Sequence, residues 1–445
     1  MSRGSAEPAG RSTFVRWIIL ALLFCAGFVA YVLRTNMSIA GESLMADLGL
    51  TQIQLGMVLA AFAWGYALFQ FPGGLLGDRI GARRALALVA VLWGILNLAI
   101  GLVPGRAAAS TTAILASLIA LRFLMGAAQA PLYPVTGGAT TCNWFPVAGW
   151  AFPSGLQNAG LTLGAAAAGP LIAWMCERVG WRQSFILTAP LAFVVAAVWW
   201  WYARDTPAEH SGVSPRELAV IDAGRPPAIA AAGERGVWRL VLEDRDIRLL
   251  TASYFCNSYV FYFFFNWLFI YLVDFRKFRI LQGGFVAAAP WVTGAFTAVL
   301  GGLACDRLSR RFGIRWGCRI PAVVGMVLAA GLIVAAALAR DAYTAVVLLS
   351  LCLGSQQFTD AAYWAGTISV AGRHSSAACG VLNTGGNVVG GVGALLVPIT
   401  VKTLGWGAAL ATGSLFALAA ALLWIWIRCD KPLGTPVGAH GIGVP

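Results

Sequence analysis

The sequence contains few charged residues. Only 11% of its 445 residues are Asp, Glu, Lys or Arg, whereas soluble domains carry about 25%. So few charges cannot cover the surface of a soluble protein of this size, and we therefore predict that lipid covers most of it. The longest charge-free run is 123–176, and most of the others exceed the roughly 18 residues that suggest a membrane-spanning helix.

Histidine is also scarce, and its positions argue against an enzyme. The three histidines, His210, His374 and His440, all lie outside the apolar runs, so these runs contain no Ser–His pair and no metal-ligand cluster. Nine cysteines are scattered without a CxxC motif, which indicates buried thiols and not a disulfide framework. We therefore predict that the chain is not an enzyme and has no metal or cofactor.

One glycine-rich and basic segment occurs twice in the chain. Its first copy is Gly-Gly-Leu-Leu-Gly-Asp-Arg-Ile-Gly-Ala-Arg-Arg (73–84), and a weaker copy begins at 301, with Asp78 matched to Asp306. A second match, from Asn158 to Asn383, has nearly the same offset. Two matches at nearly one offset indicate that one structural unit is used twice.

We predict an all-α integral membrane protein with twelve transmembrane helices in two pseudo-symmetric six-helix halves. If both termini are cytoplasmic, the inner segments carry 21 Lys and Arg residues and the outer segments carry 8. This bias sets the orientation and explains the net charge of +13 without nucleic-acid binding. The predicted parts are an N-terminal tail (1–16), a first half (17–203), a cytoplasmic linker (204–247), a second half (248–428) and a C-terminal tail (429–445).

The first apolar run follows a tail without a signal-peptide cleavage site, so we expect it to remain as a helix.

Within the predicted helices, Arg34 and Arg122 are the two cations that indicate a functional site. A centrally placed Arg costs ~2.5–3.5 kcal/mol on insertion scales, so it should face a cavity or a partner. An alternative for Arg34 is that its side chain snorkels to the membrane surface. Two such arginines without an adjacent carboxylate would form a positive cavity that attracts an anion.

Uncharged polar and aromatic side chains accompany these arginines. In a transporter with a two-fold repeat, the substrate site lies near the midplane between the repeats. Many of the aromatic residues and glycines are equally explained by helix packing. The residues that we expect at the binding site are Tyr31, Arg34, Tyr66, Arg122, Gln129, Asn158, Trp267, Asn383 and Asn387.

The repeated motif resembles the loop between the second and third helices of major facilitator transporters. The resemblance covers almost the whole chain and implies that the motif is a cytoplasmic gate. The gate residues would be Gly74, Asp78, Arg79, Gly81, Arg83, Arg84, Gly302, Asp306 and Arg307.

Within that superfamily, the chain resembles the anion:cation symporter family, which includes sugar-acid permeases. The motifs behind the resemblance are Tyr31-x-x-Arg34-x-Asn36, Ala-Phe-Ala-Trp-x-Tyr (61–66), Arg122 with Gly126 and Ala130, and Asn-Trp-Phe-Pro (143–146). The resemblance implies that the positions of Tyr31, Arg34, Tyr66 and Asn383 contact substrate. It also implies that Arg122 is a cavity arginine coupled to protonation.

This sequence departs from the sugar-acid members at their proton-coupling acids. Leu33 and Gln129 stand where those members commonly have carboxylates, and 147–150 is neutral where they carry a charged pair. Asp360 is the candidate replacement, because a carboxylate in a low-dielectric cavity can take up a proton near neutral pH. The alternative is that Asp360 only neutralises an arginine.

The favoured hypothesis is a secondary transporter for a small organic anion, such as a sugar acid or another carboxylate, by alternating access. We expect proton-coupled symport, with Na+ coupling or anion exchange as alternatives. A second hypothesis is an organophosphate:phosphate exchanger, and a third is a transporter-like membrane solute sensor. We expect a monomer in the inner (plasma) membrane, in contact with the lipid bilayer and with no nucleic-acid partner.

Overall fold

The structure is a computed structural model, and it describes residues 13–132, 135–136, 140, 142–145, 151–222, 237–371 and 375–431. Most of the two predicted tails therefore lies outside the described residues. Every regular element assigned within the described residues is a helix. The predicted all-α class is confirmed.

Twelve long helices are present in the described residues, named α1 to α12 in chain order. Two helical runs each contain a non-helical glycine, Gly313 or Gly405, which separates two helices. The helices are α1 (Val15–Leu48), α2 (Gln52–Ile80), α3 (Ala82–Gly101), α4 (Thr111–Gln129), α5 (Ala151–Arg178), α6 (Trp181–Tyr202), α7 (Arg245–Asn266), α8 and α9 (Ile280–Leu338, before and after Gly313), α10 (Ala342–Ala371), and α11 and α12 (Ser375–Trp424, before and after Gly405). Short helices are Cys142–Trp144, Pro207–Glu209, Pro215–Asp222, Val237–Glu243, Leu268–Ile270 and Tyr271–Phe275.

Length and apolar composition mark these helices as membrane spans. Eight helical runs of the described chain are long and apolar enough to cross a membrane, or nine if α7 and the segment after its 52° bend count as one span. Two of the eight are the runs that contain two helices each. Helix α10 is not among these spans, although it is 30 residues long, and it carries the polar residues Gln356, Gln357 and Asp360.

The chain folds into two compact units. The first unit contains 1–231 and 272–288, and the second contains 232–271 and 289–445. The segment 272–288 joins the first unit through polar contacts: Gln52 donates to Asp274 at 3.0 Å, and the amide of Leu281 donates to Glu177 at 2.7 Å.

The turns confirm that the two parts of the chain share a plan. Gly81, which lies within the first copy of the repeated motif, and Gly313, which lies shortly after the Asp-Arg pair of the second copy, have φ values of 83° and 79°. Gly180 and Gly405, paired by the second sequence match, have φ values of 87° and 82°. Side chains with a Cβ rarely adopt this conformation. Glycine therefore permits the sharp turn before a helix at each of these positions.

The predicted loop between the second and third helices is shorter than expected. Helix α2 continues through most of the motif to Ile80, and only Gly81 interrupts the helices. The backbone amide of Arg83 donates to Asp205 at 2.8 Å, and its guanidinium donates to the carbonyl of Trp200 at 3.0 and 2.6 Å. Arg83 thus ties the start of α3 to the end of α6.

A buried polar network holds three helices of the first unit together. Asn36 accepts from Ser184 at 2.9 Å, and Asn97 donates to Thr188 at 3.0 Å. All four side chains are buried, and buried polar groups need such partners. Asn36 is therefore a structural residue of α1.

The linker helix Pro215–Asp222 caps the start of α1. Residue Phe14, which precedes α1, supplies no side-chain cap. The fully buried carboxylate of Glu217 accepts instead from the amides of Val15 at 3.3 Å and Arg16 at 3.1 Å. These amides belong to the first helical turn, which has no intrahelical partner for its N–H groups.

Candidate functional site

The site in the first unit depends on close packing between α2 and α4. Gly65 and Gly126 leave no room for a Cβ, because the carbonyls of Phe123 and Phe62, respectively, occupy that space. Small residues let helix backbones approach in this way. The close approach brings Phe62 on α2 to Arg122 on α4.

Phe62 lies beside two buried guanidinium groups. The central carbon of Arg34 is 4.8 Å from the centroid of its ring, and that of Arg122 is 4.6 Å away. Arg34 also lies 5.4 Å from the rings of Tyr31 and Tyr66. Each such cation–π contact contributes about 0.5–2 kcal/mol, depending on desolvation. The rings therefore help to hold the two cations in place.

Both arginines are enclosed by protein. Arg34 is 4% exposed and Arg122 is 2% exposed, so Arg34 does not snorkel to the surface. Nε and Nη1 of Arg122 have no hydrogen-bond partner among the described residues. A buried charge of this kind carries a large desolvation penalty unless a counter-charge reaches it. The arrangement fits an anion that brings its own oxygen atoms to Arg122.

The two positions at which the sequence departs from sugar-acid permeases are both buried near these arginines. Leu33 is 0% exposed and Gln129 is 1% exposed. The amide Nε2 of Gln129 donates to the backbone carbonyl of Ala30 at 3.2 Å. Gln129 therefore ties α4 to α1, and it adds no charge beside Arg122.

In the second unit, Asn387 joins α11 to α7. Its Nδ2 donates to the backbone carbonyl of Asn383 at 2.8 Å and to the side chain of Asn383 at 3.2 Å. Its Oδ1 accepts from the hydroxyl of Tyr262 at 2.7 Å. The two asparagines share one face of α11, as their spacing predicts.

Asp360 lies in a second polar cluster of the same unit. Its two oxygens accept from the hydroxyl of Tyr254 at 3.3 Å and from Nε1 of Trp364 at 3.1 Å. No lysine or arginine in the described part of the second unit forms an ion pair with it. Within that unit, the described hydrogen bonds to this carboxylate come from neutral donors. Its role as a proton-coupling group stays a prediction.

For two other predicted site residues, the described contacts show no link to the cluster of their own unit. Trp267 is fully buried where α7 bends, and its Nε1 has no hydrogen-bond partner among the described residues. Asn158 is half-buried on α5, and its backbone carbonyl accepts from Thr162 at 3.0 Å. The contacts described for the first unit do not join Asn158 to the arginine cluster.

The predicted gate residues have different surroundings. Gly81 and Arg83 take part in the turn between α2 and α3, whereas Arg79, Arg84, Asp306 and Arg307 are exposed, and Gly302 is half-buried. Gly74 and Asp78 lie on α2, and the side chain of Asp78 is outside the described residues. Their role as a gate stays a prediction.

Sequence reasoning did not single out Phe62 or Tyr254 as site residues. Phe62 precedes Tyr66 by one helical turn, and their rings are stacked with centroids 6.2 Å apart, so the i, i+4 spacing was an available signal. Tyr254 reaches Asp360 only because α7 packs against α10. Its sequence neighbourhood contains no such signal.

Comparisons with known proteins agree with this architecture. The model of the Major Facilitator Superfamily matches residues 23–359. A probable galactarate/D-glucarate transporter of Bacillus subtilis is 32% identical over 394 residues, which cover 86% of this chain and 85% of that protein. A probable sulfoacetate transporter of Cupriavidus necator is 30% identical over 391 residues, which cover 88% of each chain.

A solved structure shares the fold. The bacterial homolog of the human lysosomal transporter Spinster, crystallised in an inward-facing and unoccupied conformation, matches with a TM-score of 0.71. The match covers 93% of this chain and 96% of that chain at 16% sequence identity. The predicted twelve-helix architecture is therefore confirmed at the level of the fold.

Proposed function

Because this chain belongs to the Major Facilitator Superfamily, we propose that it is a secondary transporter that carries a small organic anion by alternating access. The family consists of transporters and not enzymes, which confirms the prediction of no enzymatic activity. The main evidence for an anionic substrate is that two buried guanidinium groups, those of Arg34 and Arg122, lie beside the ring of Phe62. The relatives named for galactarate, glucarate and sulfoacetate support a carboxylate or similar acid.

Arg34 and Arg122 would bind the anionic groups of the substrate. A guanidinium presents N–H donors in a planar fork that matches a carboxylate. Tyr31, Tyr66 and the asparagine pair Asn383 and Asn387 would orient the substrate through its hydroxyl groups. This assignment is a proposal that rests on the burial and the hydrogen-bond chemistry of these side chains.

Asp360 is the proposed coupling group. A half-buried carboxylate whose described hydrogen bonds come from neutral donors can exchange a proton without breaking an ion pair. Transport would then be symport with H+, and the transported proton would reside on Asp360 while the substrate is bound. Coupling to Na+ or exchange with a second anion are the alternatives to this proposal.

The membrane and the orientation are also proposals. The excess of Lys and Arg in alternate loops supports cytoplasmic termini in the plasma membrane. We propose that 17–203 and 248–428 are the two halves that alternate access and that 204–247 joins them on the cytoplasmic side. We also propose that the protein works as a monomer.

The test is uptake into proteoliposomes, with and without an inward-directed pH gradient, for the wild type and Asp360→Asn. The anion panel contains sugar acids, short carboxylates and glycerol 3-phosphate. We expect the gradient to drive accumulation of a carboxylate in the wild type only, while Asp360→Asn still exchanges internal for external substrate. Glu209→Gln, an exposed change in the linker, should match the wild type.

Other outcomes would change the proposal in defined ways. If both proteins only bring the substrate to equal concentrations inside and outside the proteoliposomes, the chain is a facilitator or exchanger. Asp360 would then have no coupling role. Transport of glycerol 3-phosphate alone would favour the organophosphate:phosphate exchanger. The sequence already weighs against that exchanger, because such relatives use an arginine in the seventh helix and 249–266 contains none.

A further inference from the structure

We propose that the start of α9 and the end of α12 form a binding site for the phosphate group of an anionic phospholipid. All residues of this site belong to the second unit, and none of them is part of the proposed substrate site. The proposal therefore depends on the membrane location of the chain and not on what the chain transports. The evidence is a group of arginines that the chain itself does not neutralise, beside exposed aromatic side chains.

Arginine is the dominant charged residue of the turn between α8 and α9. Five arginines lie between 307 and 319, and no Asp or Glu follows Asp306 before Asp341. None of these five arginines forms an ion pair with a carboxylate of the described residues. Arg315 and Arg319 are one helical turn apart, so they share a face of α9. Their like charges repel each other, and an anion from outside the chain would offset this repulsion.

Most hydrogen-bond donors of Arg315 and Arg319 are unused. Both side chains are half-buried, and each guanidinium has five N–H donors. The one hydrogen bond described for the pair is from Nη2 of Arg319 to the backbone carbonyl of Ile427 at 2.7 Å, which joins α9 to the end of α12. Arg428 adds further positive charge there, and the carboxylate that opposes it, Asp430, is exposed to screening by water. A phosphate group would supply both acceptors and negative charge.

The first copy of this turn contains its own carboxylate at the matching place. Gly81 and Gly313 are the glycines of the two turns, so Arg83 corresponds to Arg315. Asp205 accepts from the backbone amide of Arg83 at 2.8 Å, and its carboxylate lies 2.6 Å from where a Cβ on Gly81 would be. At Gly313, no neighbouring atom of the described chain lies within 4 Å of the equivalent position. The second turn is therefore open where the first one holds an anion.

The apolar side chains around these arginines favour a lipid over a soluble phosphate. Trp316 is exposed, and its ring centroid lies 5.1 Å from the central carbon of Arg319. Phe312 is also exposed and lies 5.2 Å from that of Arg311, and Trp426 is exposed at the end of α12. Aromatic belts lie at the level of the lipid head groups, where basic pockets bind anionic lipids. Acyl chains would cover these rings, and a phosphate ion would not.

Native mass spectrometry of the purified full-length protein in detergent tests this site. The probes are dioleoyl phosphatidylglycerol and dioleoyl phosphatidylcholine, which share their acyl chains and differ in net charge. We expect the wild type to bind its first phosphatidylglycerol at least about tenfold more tightly than phosphatidylcholine, because several arginines near the membrane surface each strengthen binding about fivefold. Arg315→Gln/Arg319→Gln should abolish most of this preference and leave phosphatidylcholine binding unchanged.

Two further double variants separate charge from structure. Arg178→Gln/Arg340→Gln removes the same amount of charge at two exposed arginines outside the site, so it should keep the preference of the wild type. Arg315→Lys/Arg319→Lys keeps the charge of the site and should retain most of the preference. A purely structural role of the two arginines would instead make the Lys and Gln variants alike.

Several outcomes would overturn the proposal. One is equal binding of the two lipids by the wild type, and another is an equal loss of preference in the Gln variant and in the control pair Arg178→Gln/Arg340→Gln. If inorganic phosphate binds and depends on Arg315 and Arg319 while phosphatidylglycerol has no advantage, the site takes a soluble anion and not a lipid. If the double Gln variant does not fold, unchanged phosphatidylglycerol binding by Arg315→Gln alone would equally overturn the proposal. The proposed transport function would stand in each case.

Discussion

The charged side chains on the membrane helices have different surroundings in the two units. In the first unit, Arg122 lies against an aromatic ring and keeps two nitrogens without a hydrogen-bond partner among the described residues. In the second unit, both oxygens of Asp360 already accept hydrogen bonds, from Tyr254 and Trp364. A cation with unused donors is suited to receive a ligand. A carboxylate that accepts from neutral donors can gain and lose a proton without breaking an ion pair.

The backbone conformation of the turns is nearly the same in the two parts of the chain, whereas the polar clusters described above differ. Gly81 and Gly313 have nearly the same φ, as do Gly180 and Gly405. Each part also ties its helix ends with an arginine: Arg83 donates to the carbonyl of Trp200, and Arg319 donates to that of Ile427 at 2.7 Å. The repeat is therefore preserved in the scaffold, whereas the internal side chains have diverged.

The largest effect is expected from Arg34→Ala. Removal of this guanidinium should lower substrate affinity at least about 30-fold, because truncating one partner of a buried charged contact costs ~2 kcal/mol or more. Both gradient-driven uptake and exchange should be lost, unlike in Asp360→Asn. Substrate binding to the purified variant and its uptake in proteoliposomes measure these losses. Lys402→Ala, a change at an exposed residue, is the control. Normal uptake by Arg34→Ala would remove Arg34 from the site.

A smaller effect is expected from Asn387→Leu. This change leaves the hydroxyl of Tyr262 without its acceptor and frees the side chain of Asn383. A lost neutral hydrogen bond costs ~1 kcal/mol, so substrate affinity should fall by about fivefold while coupling to the pH gradient persists.

The matched control for this variant is Thr384→Val, because Thr384 follows Asn383 and is exposed. Titration of substrate in the uptake assay gives both affinities. Equal affinities for Asn387→Leu and the wild type would show that the asparagine pair only joins α7 to α11.

The smallest effect is expected from Tyr254→Phe. This change removes one of the two donors to Asp360 and keeps the aromatic ring, whose centroid lies 5.1 Å from that of Tyr363. We expect the free energy of unfolding to fall by ~1 kcal/mol and uptake to persist. Thermal unfolding in detergent measures the loss, and Tyr343→Phe, at an exposed tyrosine, is the control. Loss of all uptake would mean that Tyr254, and not only Asp360, takes part in transport.

Much of the fold was predictable from the sequence because lipid imposes a simple rule. Every backbone polar group in the membrane must be satisfied internally, so long apolar runs become helices, and glycines between them mark turns. The family could also be predicted from the sequence, since each copy of the Asp-Arg motif is a short continuous segment. The exact helix ends could not be predicted from the sequence. Helix α2 continues to Ile80 where a loop was expected, because contacts from other helices determine where it stops.

The sequence by itself determined the class of the protein: an all-helical membrane transporter with arginines in its apolar helices. Only the tertiary structure decided which side chains surround those charges. It placed Arg34 and Arg122 at one Phe62 ring, made Asn36 part of a packing network, and brought Tyr254 to Asp360. These contacts join residues far apart in the chain, and they follow from how closely helices pack at residues such as Gly65 and Gly126. The distance between two packed helices depends on the side-chain volumes of both helices. The residue pattern along one helix does not contain this information.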